Sequence, residues 1–295
     1  MRDLAITVAI TAAFTSAATS QSTFEFRSDL DAAADLSPDG RFIVGSLDSG
    51  GVYRLDLATG EVLVLPSEGL YAAAVSDDGK FVLGAIAVEE DGVSYQESAI
   101  WSEDSNDWSA LGSVPGGSCD LSRSSPQELS ADGSVAVGLV WVGCDSHGFR
   151  WSAKSGMMVL ESLGNGTNRA SVVSADGNLI GGFAQGSFSR SPTVWGPSGS
   201  GALLDPPAGD VIGEIHGISD DGLVLLGEWD SDATIFRSEG RPSRIYTTTS
   251  PDRPGLHDRS RVFSLPQDFN SFSNDAPCSG CNSQHDALTF SMKAA

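Results

Sequence analysis

The four residues Ser-x-Asp-Gly recur five times along this chain, and in every copy a further glycine falls eight positions after the serine. The copies are Ser37-Pro38-Asp39-Gly40 with Gly45, Ser76-Asp77-Asp78-Gly79 with Gly84, Ser130-Ala131-Asp132-Gly133 with Gly138, Ser174-Ala175-Asp176-Gly177 with Gly182, and Ser219-Asp220-Asp221-Gly222 with Gly227. Successive serines are 39, 54, 44 and 45 positions apart, the range in which one four-stranded propeller blade is built. The expected fold is therefore all-β, a β-propeller of four-stranded blades with five clear repeats and a degenerate sixth.

Within the first copy, residues 32–36 suit a short strand, the motif turns the chain, and residues 41–44 return antiparallel. Glycine accepts the positive φ of such a turn, and Ser and Asp side chains can bond nearby backbone amides. A second hairpin runs from Gly51 to Leu57 and turns at Thr59-Gly60 into residues 61–65. The later third strands carry Ile100-Trp101, Phe149-Arg150-Trp151, Val194-Trp195 and Ile235-Phe236. An aromatic at one fixed place per repeat is most simply a plug between adjacent blades. The residue before each motif serine, Leu36, Val75, Leu129, Val173 or Ile218, is always apolar and is assigned to the core. Long connections occur around Glu89-Glu90-Asp91-Gly92 and from Leu111 to Pro126, where function on such a scaffold would reside.

The ends of the chain read differently. Arg2, an apolar run from Leu4 to Ala18 and the small residues Ala18-Thr19-Ser20 make an export signal over residues 1–20, cleaved after Ser20 or Ala18. The run is shorter than a membrane anchor requires, so no membrane span is expected in the mature chain, which would be periplasmic or extracellular. Repeats occupy 21–249. Residues 250–295 lack the motif and form a degenerate last blade or an irregular tail, with Thr23-Phe24-Glu25-Phe26 available as a strand to latch the ring. The net charge of −22 excludes most nucleic-acid roles, because phosphate binding depends on Lys and Arg. Arg237, Arg241, Arg244, Arg253, Arg259 and Arg261 are a local exception, read as balancing acidic loops in preference to an anion patch.

The repeat resembles the HAF repeats of exported bacterial proteins, best over Phe149-Arg150-Trp151, Gly156-Met157-Met158-Val159-Leu160, Leu163-Gly164 and Ser174-Ala175-Asp176-Gly177. The tripeptide that names that family is reduced here to His147-Gly148-Phe149 and is absent from the other copies. The resemblance spans about residues 32–247 and implies a secreted, propeller-like protein without established catalytic residues. The repeat is also similar to WD-type repeats, which share the turn and the third-strand aromatic.

Cys119 and Cys144 flank the Asp132-Gly133 turn at nearly equal distances, so an exported hairpin would bring them together as a disulfide. Cys278 and Cys281 are read as a small structural disulfide, with zinc through His285 as the rival. No calcium-loop pattern is present, and no metal or cofactor is expected.

In WD-like topology the strand before each motif turn is innermost, so its polar residues approach the channel. These are Asp35, Gln127, Glu128, Arg169, Glu214 and His216. Glu214 and His216 lie two apart and are expected on one strand face. Two readings follow. The first is a non-catalytic binding or scaffolding propeller that recognises a glycan, a surface component or a protein, using Arg169, Glu214, His216 and Gln127. The alternative is a polysaccharide hydrolase or lyase using Glu214, His216, Glu128 or Asp35 at the channel mouth. No Gly-x-Ser-x-Gly elbow and no phosphate loop occurs.

Overall fold

The computed structural model describes residues 30–47, 50–116, 121–163, 166–184, 190–204, 212–229, 232–238, 244–249 and 262–264. Its architecture grows from the motif turn. The serine hydroxyl donates to the Asp carboxylate, at 2.7 Å for Ser37 and Asp39 and 2.9 Å for Ser130 and Asp132, and accepts the N–H five residues further on. The same carboxylate oxygen accepts the N–H of the residue after the glycine. The glycine N–H bonds back to the serine carbonyl, and the five glycines take φ of 68 to 75°, a region that costs an L-residue about 1–2 kcal/mol. All five turns close in this way.

Each turn joins the first two strands of an antiparallel sheet whose strands follow chain order. The first sheet holds β1 (Ala33–Leu36), β2 (Phe42–Ser46), β3 (Val52–Asp56) and β4 (Glu61–Val64); the second holds β5 (Gly69–Val75), β6 (Phe81–Glu90), β7 (Val93–Ser102) and β8 (Asp107–Ala110). The third holds β9 (Ser124–Leu129), β10 (Val135–Val142), β11 (Asp145–Ser152) and β12 (Gly156–Val159); the fourth holds β13 (Arg169–Val173), β14 (Ile180–Ala184), β15 (Ser191–Trp195) and β16 (Gly201–Leu203). The fifth holds β17 (Gly213–Ile218), β18 (Val224–Trp229), β19 (Asp232–Ser238) and β20 (Arg244–Thr249), with β21 (Val262–Ser264) added at its outer edge. That last strand comes from the stretch in which the repeat pattern fails. There is no helix among the described residues.

The sheets stand around an axis. First strands of successive sheets pack on one another, β1 with β5, β5 with β9, β9 with β13 and β13 with β17, whereas no fourth strand is in comparable contact with a neighbouring sheet. The motif turns are stitched side by side: Asp77 N–H donates to Ala131 O at 2.9 Å, and Ala131 N–H donates to Ala175 O at 3.0 Å. Pro38, at the same place in the first copy, has no N–H to give. The charges of Asp220 and Asp39 both reach Asp77, so turns of the fifth, first and second sheets share one end of the axis. These are the blades of a β-propeller.

Burial is between blades and not within them. One cluster joins Phe42, Val44 and Leu65 to Val75, Val82 and Trp101; the next joins Leu83 and Ile100 to Leu129 and Phe149. The third joins Val137 and Leu160 to Ile180 and Trp195, and the fourth Val194 and Leu204 to Ile215 and Phe236. At the third-strand place paired with the residue six after the serine, Trp101, Trp195 and Phe236 are fully buried, as the plug reading expects, whereas Trp151 there is half-buried and the fully buried Phe149 stands two residues earlier. Of the apolar residues before the serines, Val75, Leu129 and Val173 are buried, while Leu36 and Ile218, in the first and fifth blades, are half-buried. The position seven after the serine is sealed as Val44, Leu83 and Val137, yet Leu226 there is 50% exposed.

The glycine eight after the serine has a separate cause. In all five blades the first strand bulges at the residue three before the serine: Ala34, Ala73, Gln127, Ser171 and His216 are skipped in the pairing. The bulge turns the carbonyl of the residue five before the serine toward that glycine. A Cβ there would lie 2.5 Å from Tyr71 O at Gly84, and closer still to Ala32, Ser125, Arg169 and Glu214 carbonyls in the other copies. Because φ is ordinary at Gly138 and positive at the open turn residue Gly60, the two effects separate. Gly138→Ala is expected to cost at least ~3 kcal/mol and Gly60→Ala only ~1 kcal/mol, measured by urea denaturation; equal costs would refute the carbonyl explanation.

The turns also set the response to acid. The Ser37 hydroxyl and the Arg41 N–H hold Asp39 below the ordinary carboxylate range. Burial opposes ionisation of Asp78, Asp132 and Asp176, but their turn hydrogen bonds outweigh it and those carboxyls are lowered too. A lowered carboxyl stabilises the fold above its unfolded value, and that contribution is lost as pH falls through the folded value. Asp77 moves the other way, raised first by burial and then by Asp220, Asp39 and other neighbouring carboxylates, so it favours the fold at the acid end. With four groups against one, stability is expected to fall below about pH 4, and Asp132→Asn to flatten the fall. Unfolding curves across that range that do not move with pH would contradict this.

Candidate functional site

A first strand runs from one end of the axis to the motif turn at the other, so residues five before each serine share the end away from the turns. They are Ala32, Tyr71, Ser125, Arg169 and Glu214. The ten-residue strands of the β6–β7 hairpin and the eight-residue strands of β10–β11 lengthen the blades at this same end. It is the elaborated end of the molecule.

Glu214 is its most buried ionisable group, with a side chain 3% exposed. Arg169 Nη2 donates to Glu214 Oε1 at 2.6 Å, the Ser171 hydroxyl donates to the same oxygen, and Arg190 Nη1 stands 3.5 Å from Oε2. Arg169 also donates from Nε to Ser171 at 3.2 Å. Both guanidiniums lie over the Phe183 ring, at 5.2 Å for Arg169 and 4.5 Å for Arg190, a cation–π arrangement that fixes their planes. The Arg190 backbone is pinned to the fifth blade, its carbonyl accepting the Gly213 N–H at 2.9 Å.

Two further groups complete this end. Gln96 Nε2 donates to the Tyr71 hydroxyl at 3.1 Å, and that hydroxyl lies 3.3 Å from the Ser125 hydroxyl. Arg123 donates to buried Glu97 at 2.8 Å and to Glu90, and stacks over Tyr95. Glu97 and Glu90 hold the Arg123 guanidinium above its ordinary range.

Of the residues singled out by sequence, Arg169 and Glu214 meet directly. His216 does not join them: it is the bulge residue of β17, so the alternation expected from its spacing is broken, and it lies exposed with Nε2 3.6 Å from Glu228. Asp35 accepts the Val75 N–H at 3.1 Å, tying the first blade to the second. Glu128 accepts the Leu129 N–H at 3.2 Å. Both stand two before a motif serine, about 10 Å further along their strands than the ring of Arg169 and Glu214. Gln127 is the bulge residue of β9. Cys144, beside the β10–β11 turn, is disulfide-bonded; Cys119, Cys278 and Cys281 lie outside the described residues, as do residues 1–20 and the side chains of the arginine-rich stretch from Arg237. Among the described residues no three His, Cys, Asp or Glu are placed to hold a metal ion, and no helix is long and apolar enough to cross a membrane.

Arg190, Phe183, Tyr71, Ser125 and Ser171 were not marked by the sequence reading. One signal was available for three of them: counting back five from each serine puts Tyr71, Ser125, Arg169 and Glu214 in one ring, and counting back three finds Ser171. Arg190 follows a connection with no fixed offset.

No family model matches the chain, and no curated protein matches it. Solved structures that resemble it include TolB from Acinetobacter baumannii (20% identity, TM-score 0.47, covering 77% of this chain and 54% of that one) and a putative TolB from Agrobacterium tumefaciens (16%, 0.48, 78% and 79%). The β-propeller domain of Cps50 (Swd1) from Myceliophteria thermophila is another (14%, 0.45, 82% and 73%). This chain spans about half the length of the first of these.

The cluster gives an asymmetric expectation. Arg169→Ala leaves the buried Glu214 carboxylate with only a 3.5 Å ion pair and a hydroxyl, and is expected to cost ~3 kcal/mol. Glu214→Gln leaves two guanidiniums that are 31% and 36% exposed and can hydrate, and is expected to cost ~1 kcal/mol. His216→Ala should stay within ~0.5 kcal/mol. Chemical denaturation of the three variants tests the order, which a costlier Glu214→Gln would reverse.

Proposed function

We propose that the chain is an exported propeller that binds a ligand without transforming it, and that recognition takes place at the elaborated end of the axis. The observation that supports this most is the fate of the four residues needed for acid–base chemistry. A glycoside hydrolase works with two carboxyls about 5–10 Å apart across the bound sugar. Here Glu214 is engaged by two arginines, His216 is paired in solvent with Glu228, and Asp35 and Glu128 cap backbone N–H groups nearer the opposite end. What the same end does offer is surface for a partner: hydroxyl, amide, guanidinium and aromatic groups from three consecutive blades, bordered by exposed Leu70, Val93, Leu121 and Ile212.

Export rests on residues 1–20, and the HAF-type resemblance on the motif residues that carry it. We further propose that residues from 265 onward, with Thr23–Phe26, supply a sixth blade. The support is Leu226, half exposed at a position that is sealed by the next blade in the first three copies. A disulfide between Cys119 and Cys144 would tie the 111–126 insertion to the β10–β11 turn.

Screening the mature protein on a glycan array beside a polysaccharide-degradation assay is expected to give retained ligands and no released product. Product release that Glu214→Gln abolishes would replace this reading with the hydrolase or lyase alternative.

A further inference from the structure

Arg169 and Arg190 bring two positive charges to a single buried carboxylate, and no other carboxylate is ion-paired to either among the described residues. The excess is one charge, and the excess of donors is larger. A guanidinium has five N–H donors. Arg169 spends one on Ser171 and one on Glu214, whereas among the described residues Arg190 makes only the 3.5 Å ion pair with its side chain, and its Nε is buried with no hydrogen-bond partner there. Being buried, that Nε is closed to an incoming ligand, and the fork left open to one is the Nη1–Nη2 pair of a side chain 36% exposed. Arg123, at the same end, shows the contrast, since two carboxylates, Glu97 and Glu90, more than balance its one charge.

What holds Arg190 in place is the Phe183 ring beneath it and the backbone bond to Gly213, which together leave its fork pre-set and unspent. A planar oxyanion that takes two parallel N–H bonds matches that fork. We propose that Arg190, with Arg169 beside it, binds a carboxylate group of the ligand. The second and third blades present the Tyr71 and Ser125 hydroxyls and the Gln96 amide at this end, so the carboxylate belongs to a body rich in hydrogen-bonding groups. An acidic sugar and the C-terminus of a peptide both fit that chemistry. The inference rests on the binding reading above and makes it specific.

Microcalorimetry on the chain lacking residues 1–20 distinguishes the sources. The probes are a glucuronate-ended oligosaccharide with its neutral glucose counterpart, and a tetrapeptide with a free C-terminal carboxylate with its amide. One acidic probe is expected to bind at least about tenfold more tightly than its neutral partner, and that arm identifies the source. Arg190→Ala should erase the preference at an unchanged fold, Arg190→Lys should restore part of it through charge without the fork, and Arg41→Ala, at the other end, should leave it intact. Acidic and neutral probes binding alike, or a preference that survives in Arg190→Ala, overturns the carboxylate assignment and leaves the binding reading standing. Silence from all four probes overturns the assignment as well, and takes the binding reading with it when the glycan array is also blank.

Discussion

Among the described residues no sheet of this protein carries a core of its own. Each of the four buried clusters takes its residues from two successive blades, so a blade excised from its neighbours would expose the side chains that hold it. Fully burying a residue such as Leu83 or Ile180 contributes about 1.5–3 kcal/mol, and almost all of that is realised across an interface. Stability is then close to a sum of nearest-neighbour terms. The end blades are the weak points, as Leu226 and the half-buried Leu36 and Ile218 record. Aromatic plugs deepen the dependence: Trp101 and Trp195 reach complete burial only because the adjacent blade stands against them.

The bulge three residues before each serine links that architecture to the functional end. It lets the first strand bend while keeping its pairing with the second, it demands the glycine eight after the serine, and it re-aims side chains at the axis. Residues that fix the fold, Ser, Asp and the two glycines, therefore sit at set offsets from positions that are free to vary. At five before the serine the chain carries Ala, Tyr, Ser, Arg and Glu; at three before it carries Ala, Ala, Gln, Ser and His. Variation there changes what the axis binds without disturbing how the blades stack.

Much of the fold was legible because the motif acts locally. A serine that bonds its own turn, a glycine at positive φ and a third-strand aromatic each leave a mark in the sequence, and all appear in the structure as the period implied. The site was less legible for a different reason. Placing Glu214 and His216 on one face assumed strict alternation, which one inserted residue is enough to break. Arg169 and Glu214, 45 positions apart, could be paired by their common offset from the motif. Arg190 could not, since it enters from a connection between β14 and β15 with no repeated register, and Phe183 read simply as strand core.

The net charge of −22 hides a polarity along the axis. At the turn end, carboxylates from four repeats press on one another closely enough that Asp77 is raised, after burial, by Asp220, Asp39, Asp78 and Asp132. At the other end the only fully buried member of the Arg169, Arg190 and Glu214 group is the acid, while the arginines keep about a third of their side chains in solvent. Turn and ring are separated by five residues of extended strand, about 17 Å, roughly twice the screening length at physiological salt. An anion arriving at the elaborated end therefore meets that end's own charges, Arg169 and Arg190 among them, with the acidic rim of the turns largely screened. The same chain can stay strongly acidic overall and still set two arginines against a single carboxylate at that end.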